Sequence, residues 1–278
     1  MWHGRRRSLR TSTSPEIASR SLLTISRGAG AGLVRVAVPD ACLETVASYE
    51  PCYTTLPLPC DADGRLTTEA EEPIVAAAAQ ATVVALGPGL GRCDALRSLV
   101  NHLYRRVDRP MVVDADGLNN LAALGEPPSA GGPRILTPHP GEFVRLLGAW
   151  RADAANSAGS SSPDADDRRQ AAVALAKRLD VVVVLKGHGT LITDGSKQYV
   201  NRTGNPGLST GGTGDVLTGM IAALCAQGLE PLDAARLGAH LHGLAGDLAA
   251  DDYGEVPIIA SDLLEFFPEA FQTVTLPE

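Results

Sequence analysis

The sequence predicts an α/β protein built on a mostly parallel sheet. Short β-branched apolar runs, bounded by Gly, Pro or Asp, alternate with longer stretches of helix-forming composition, the pattern of parallel strands joined by crossover helices. The segments directly after the runs are rich in Gly, Asp, His and Lys, as expected where an open parallel sheet presents its ligand-binding edge. In order, strands are expected at residues 34–38, 82–86, 111–113, 134–136 and 181–185, all fully buried. Helices are expected at 69–80, 94–107, 117–124, 141–147 and 167–179. Residues 151–167 are polar, small and low in complexity, which reads as a surface loop rather than a domain boundary.

Of 278 residues 44% are hydrophobic, so the chain can close a substantial core and extended disorder is disfavoured. The formal net charge is −8, from 24 basic and 32 acidic residues, a field that repels nucleic acid and anionic lipid. Neither is expected as a partner. Five cysteines, at 42, 52, 60, 93 and 225, are odd in number and hold no C-x-x-C pair, which is neither a disulfide framework nor a zinc signature. A reducing compartment, the cytoplasm, is expected. No apolar run approaches the roughly 20 residues of a membrane-spanning helix. Residues 1–29 are different text, with Arg5, Arg6, Arg7, Arg10, Arg20 and Arg27 against a single acid, Glu16. They read either as a poorly ordered tail or as an organellar transit peptide, whose composition is Arg-rich, Ser-rich and poor in acids. The folded domain is expected over residues 30–278.

The chemistry should sit just after the strands. Gly87-Pro88-Gly89-Leu90-Gly91 lets backbone amides approach a ligand, although Arg92 stands where the third glycine of a dinucleotide fingerprint belongs. In the next turn Asp116 is placed to cap the following helix, and Asp114, at the strand end, either lies near the ligand or is structural. Two prolines stiffen Thr137-Pro138-His139-Pro140-Gly141-Glu142, where His139 can hydrogen-bond a substrate, or merely support the loop, and Glu142 can order Mg²⁺ or its water. Lys186, directly behind four valines and a leucine, either meets phosphate as a point charge or is an edge residue with a solvated tip.

The sharpest signal is Gly211-Gly212-Thr213-Gly214-Asp215. Apolar residues at 216, 217, 220, 221 and 224 mark a helix beginning at Asp215. The amides of Gly211, Gly212, Thr213 and Gly214 and the positive end of the helix dipole would form an anion hole for a phosphoryl group in transfer. Asp215 is then positioned as the base for an attacking hydroxyl. A hydrolase triad from Ser209, Asp215 and His240 or His242 is rejected, because the polar, turn-forming residues before Ser209 cannot be the buried strand of a nucleophile elbow. The two histidines, two apart on a helix, fit packing better than metal binding.

GPGLG, DADGLN, TPHPGE, LKGHGT and NPGLSTGGTGDVLTG, in this order and spacing, resemble the ADP/ATP-dependent (S)-NAD(P)H-hydrate dehydratases, members of the ribokinase-like superfamily. The resemblance implies a ribokinase-like central sheet with helices on both faces, and a lyase that returns the S-form hydrate of NADH or NADPH to the working cofactor. ADP or ATP would be the phosphoryl donor, with Mg²⁺. It implies that Gly89, His139 and Asp215 contact the hydrated nucleotide and that Asp215 is catalytic. Lys186, Gly187, His188, Gly189 and Thr190, with Gly214, would hold the adenylate, and Glu142 would be the Mg²⁺-ordering glutamate. A homo-oligomer is expected, as is a separate NAD(P)H-hydrate epimerase, because the chain has no room for the epimerase domain of many relatives. Two alternatives stand beside this: a superfamily kinase acting on a vitamin-precursor alcohol, and a catalytically impaired nucleotide-binding protein. The second follows from the Arg/Ser text that replaces the family's glycine-rich first strand, so that a central strand is expected to be missing.

Overall fold

The computed structural model describes residues 29–50, 52–150 and 165–275. Its central sheet has six strands, β3 (Val84–Leu86), β4 (Met111–Val113), β5 (Arg134–Leu136), β6 (Val182–Leu185), β7 (Leu191–Thr193) and β8 (Gln198–Val200), in that spatial order. β3 to β6 run parallel, and β7 and β8 close the edge as an antiparallel hairpin. The parallel connections run through α3 (Asp94–Arg106), α4 (Ala115–Ala122), α5 (Pro140–Ala149) and α6 (Ala165–Leu179). After the hairpin come α7 (Thr213–Ala226), α8 (Pro231–Tyr253) and α9 (Leu263–Thr275).

Successive strand side chains point to opposite faces, and both faces are apolar. Val113, Leu136 and Val183 join the core under α3 to α6, while Val112, Ile135 and Val184 join the core under α7 to α9. This is the expected layering of helices on both faces of the sheet. Because each fully buried Val or Ile contributes about 1.5–3 kcal/mol, the sheet register is fixed from both sides. Where α7 and α8 cross, a Cβ on Gly238 would stand 2.8 Å from Ile221, so only glycine permits that approach.

The N-terminal part departs from expectation. The first strand, β1 (Arg35–Pro39), lies outside the central sheet and pairs in parallel with β2 (Thr54–Leu58) across α1 (Leu43–Ala47). It is not fully buried: Val36 and Val38 are, but Arg35 and Ala37 face water, because one face of this two-stranded sheet is open. β2 carries Pro57, which has no N–H to donate and suits a strand lacking a second neighbour. β3 starts at Val84 rather than 82 and is half-buried, since among the described residues β4 is its one partner. α2 (Glu71–Gln80), α4 and α5 begin within two residues of the expected starts. Residues 1–28 and 151–164, on which the tail and loop expectations fall, lie outside the described residues. No described helix is long and apolar enough to cross a membrane.

At the sheet's far end β5 holds a buried cation. Arg134 is 1% exposed and donates to the carbonyls of Tyr104 (2.6 Å), Val107 (2.5 Å), Arg109 and Pro133 (3.0 Å each), with its guanidinium over the Tyr104 ring. Replacing it by Met fills the volume but strands those carbonyls. Charge-assisted bonds contribute about 1.5–3 kcal/mol each and losses within one network are not additive. Arg134→Met is expected to destabilise by about 3 kcal/mol in denaturant titration; a midpoint unchanged from the parent would show that the guanidinium only fills space.

Candidate active site

The parallel strands converge on one buried carboxylate. Asp114, directly after β4, is 1% exposed. Its Oδ1 accepts from the Ala115 N–H (2.8 Å) and from Lys186 Nζ (2.7 Å), and its Oδ2 accepts from Thr218 Oγ1 (2.8 Å). One side chain thus ties β4, the end of β6 and helix α7 together. Asp114, not Asp116, caps α4. The reason is that the helix starts two residues earlier than expected, with Ala115 in the left-handed region at φ 48°, a strained conformation that surrounding contacts must hold. Asp116 instead accepts from the Gly91 N–H (3.0 Å), and Asn120 Nδ2 donates to the Gly91 carbonyl (2.9 Å), which pins the Gly87–Gly91 turn on α4. Gly87 has φ +125°, and a Cβ there would lie 1.9 Å from the Asp114 carbonyl oxygen. Gly89, at φ +67°, rides in the turn that Gly87 presses against Asp114.

Helix α7 begins at Thr213 rather than at Asp215, because Gly212 is the N-cap in the left-handed conformation, φ +93°. Asp215 is therefore the third helical residue, and the Thr213, Gly214 and Asp215 amides belong to the first turn, whose N–H groups lack intrahelical acceptors. Gly214 must be small: a Cβ there would stand 3.1 Å from Lys186 Nζ. The loop leading into α7 is anchored by His242, in the structural place expected of it, and by Asp247, which the sequence reading did not single out. His242 Nε2 donates to the Thr213 carbonyl (2.9 Å), and burial lowers the pKa of the ring to about 4, so it stays neutral and Nε2 keeps the proton. Asp247 on α8 accepts from the Gly204 N–H (2.8 Å) and from Asn205 Nδ2 (3.1 Å), while Asn205 caps the next turn through the Gly207 N–H (2.9 Å).

His139 and Glu142 form a capping box on α5. The imidazole Nδ1 accepts from the Gly141 (3.0 Å) and Glu142 (3.4 Å) amides, and Glu142 Oε2 accepts from the His139 amide (2.8 Å). This leaves His139 Nε2, 3.4 Å from Glu142 Oε1, as the ring atom open to a ligand. Lys186 is the edge cation, yet its tip is not freely solvated: the side chain is 18% exposed and its ammonium lies on Asp114. Beyond it, Gly187 (φ +143°) and Gly189 (φ +64°) shape the turn, which Thr190 Oγ1 closes on the Gly187 carbonyl at 3.0 Å; His188 is exposed.

Electrostatically the strand ends and α7 form one site. Burial raises the Asp215 pKa to about 7; the Asp114 and Glu142 charges push in the same direction and Lys186 opposes them. Burial likewise raises Glu142, with Lys186 opposing and Asp114 adding to it. Asp215 accepts no hydrogen bond among the described residues. A half-buried carboxylate, unbonded and titrating near neutrality, on the first turn of a helix beside an ammonium, can take a proton from a hydroxyl positioned over those amides. Gly89, Gly187, His188, Gly189 and Thr190 make no hydrogen bond to these carboxylates among the described residues.

A family model described as NAD(P)H-hydrate dehydratase matches residues 23–269. A bifunctional NAD(P)H-hydrate repair enzyme of Moorella thermoacetica is 44% identical over 248 residues, 88% of this chain and 45% of that protein. A namesake from Thermofilum pendens is 36% identical over 94% of this chain and 48% of its own length. The chain thus spans about half the length of the curated relatives it matches. Among solved structures, an ADP/ATP-dependent NAD(P)H-hydrate dehydratase from Bacillus subtilis, co-crystallized with ATP/Mg²⁺, superposes with TM-score 0.73 at 27% identity, covering 94% of this chain and 88% of that one. A hydroxyethylthiazole kinase from Pyrococcus horikoshii, at 16% identity and TM-score 0.58, shares the fold alone and adds nothing to the kinase alternative.

Proposed function

Because the chain belongs to the NAD(P)H-hydrate dehydratase family, we propose that it removes water from the S-form hydrate of NADH or NADPH at the expense of ADP or ATP. The carrying observation is Asp215, an unbonded carboxylate with a pKa of about 7 on the first turn of α7. It takes the proton of the ring hydroxyl as that oxygen attacks the donor's terminal phosphorus, and the bond to the bridging oxygen breaks. The free amides from Gly211 to Gly214 carry the charge on the moving phosphoryl group. Phosphate then departs with the C–O bonding pair, helped by the ring nitrogen's lone pair, and the adjacent carbon loses a proton to restore the double bond. Hydroxide would leave poorly; phosphate leaves well.

Lys186, Gly187, His188, Gly189, Thr190 and Gly214 hold the adenylate in this reading, and Gly89 and His139 Nε2 face the hydrate. Among the described residues no group of three or more His, Cys, Asp or Glu side chains is placed to hold a metal ion by itself, so a divalent cation would arrive with the donor's phosphates. Glu142 would hold Mg²⁺ through water, and the ion would supply charge neutralisation of those phosphates. The protein, the S-hydrate, Mg²⁺ and either nucleotide are expected to restore the absorbance of reduced nicotinamide with one inorganic phosphate released per turnover. No recovery with either nucleotide would refute the reading. Because the base must be ionised, kcat should fall about tenfold per pH unit well below 7; a flat profile from pH 5 to 8 would remove Asp215 from that role.

A further inference from the structure

A basic cavity lies outside the carboxylates and the ammonium of the site. It has a volume of about 380 Å³ and lies beside the glycine turn, lined by Arg92, Arg97, Arg145, Asp94, Asn119 and Asn120 among others. Two segments link it to the site. Arg92 directly follows Gly91, whose backbone Asp116 and Asn120 pin to α4, and Arg145 lies on α5 three residues past Glu142.

The guanidiniums are only partly engaged. Arg92 Nε stands 3.6 Å from Asp116 Oδ1, Arg97 Nη2 is 3.0 Å from Asp94 Oδ1, and Arg145 donates to Asn119 Oδ1. Even with both aspartates counted, three cations face two anions on a chain whose net charge is −8. Each guanidinium offers five N–H donors in a fork that fits phosphate, more than these contacts use. In the dehydratase reading the donor nucleotide's phosphates belong over the first turn of α7. What remains to be held is the long anionic body of the hydrate.

We propose that this arginine-lined cavity is the subsite for a phosphate group of the hydrated dinucleotide, anchoring it while the nicotinamide ring reaches Asp215. The proposal rests on the dehydratase reading and assigns Arg92, Arg97 and Arg145 to substrate affinity. The shared chemistry is a phosphate monoester or diester: the dinucleotide pyrophosphate, present in both hydrates, or the 2′-phosphate, present in the NADPH hydrate alone.

The test is steady-state kinetics of Arg92→Gln, Arg97→Gln and Arg145→Gln, singly and combined, with both hydrates. A charge-assisted bond is worth about 1.5–3 kcal/mol, so KM for the hydrate should rise about tenfold or more per engaged guanidinium. KM for the donor nucleotide should stay within about twofold, a split that general loss of structure would not give. A rise for both hydrates assigns the pyrophosphate, and a rise for the NADPH hydrate alone assigns the 2′-phosphate. An unchanged KM for both hydrates in the triple variant overturns the proposal, as does an equal rise for hydrate and nucleotide. If the triple variant does not fold, the single variants, whose side chains are all on the surface, decide by the same criteria. If the parent protein turns over neither hydrate, the dehydratase reading fails by itself. Calorimetric titration of hydrate into parent and Arg145→Gln protein then still decides the subsite, by weakened or unchanged affinity.

Discussion

Asp215→Asn is expected to lower turnover of the S-hydrate by about 10²–10⁴-fold, the usual contribution of a positioned general base, while leaving adenylate affinity within about twofold. The two readouts separate because the side chain is placed for proton transfer and for little else. Among the described residues it makes no hydrogen bond that the amide would break, and Asn is almost isosteric, so neither the first turn of α7 nor the Gly214 contact with Lys186 should move. The amide cannot take the hydroxyl proton, so the substrate oxygen must attack while still protonated. Folding should improve at neutral pH and above. A carboxyl whose pKa burial raises from 3.8 to about 7 loses stability as pH climbs from the unfolded value towards 7 and carries the full cost above it; the uncharged amide escapes that cost. Activity lost together with stability and adenylate binding would instead assign Asp215 a structural place beside the helix dipole. Retained activity would require another base, and Glu142, whose carboxylate is turned back on the His139 amide, is poorly aimed for that work.

How much of this could be read from the residues depends on whether a contact is local. The strands between residues 84 and 185 were legible because both faces of a central parallel strand are buried, so that runs such as Val182–Leu185 are apolar without alternation. The glycine-rich start of α7 was legible because glycines, an acid and helical periodicity are adjacent in the chain. β7 and β8 are not legible as three-residue strands; a helix is expected around His240 and His242, but the extent of α8 is not legible because its small residues, Gly238, Gly243 and Gly246 among them, serve close approach to other segments rather than a clear apolar stripe. Thr218 on Asp114, 104 residues apart in the chain, was not legible at all. Its one local sign is that it stands three residues beyond Asp215, on the same side of α7. Conversely, HPGE has its own local meaning as a helix cap, which accounts for Nδ1 of His139 and Oε2 of Glu142 before any ligand is considered.

Lys186→Met should unsettle fold and chemistry together, and in a way that a second substitution can reverse in part. Its ammonium is a partner of a carboxylate that is 1% exposed, and removing it leaves Asp114, among the described residues, with the Ala115 amide and the Thr218 hydroxyl. Breaking a buried pair from one side costs about 3–5 kcal/mol, and because Lys186 is itself 18% exposed the lower end applies. For a domain of this size, about 3 kcal/mol lowers the melting temperature by about 6–12 °C. The same change withdraws the positive charge that holds the Asp215 pKa down, so the midpoint of kcat against pH should move above about 7. Asp114→Asn acts in the opposite sense, because the Asp114 charge is what pushes Asp215 up after burial itself. The double variant therefore should regain stability relative to Lys186→Met and return the kcat midpoint towards that of the parent, while adenylate affinity stays low for want of the ammonium. Such non-additivity is the signature of one coupled network. If instead the two substitutions add in melting temperature and in pH midpoint, Asp114 and Lys186 act independently, and the carboxylate hub does not set the protonation of Asp215.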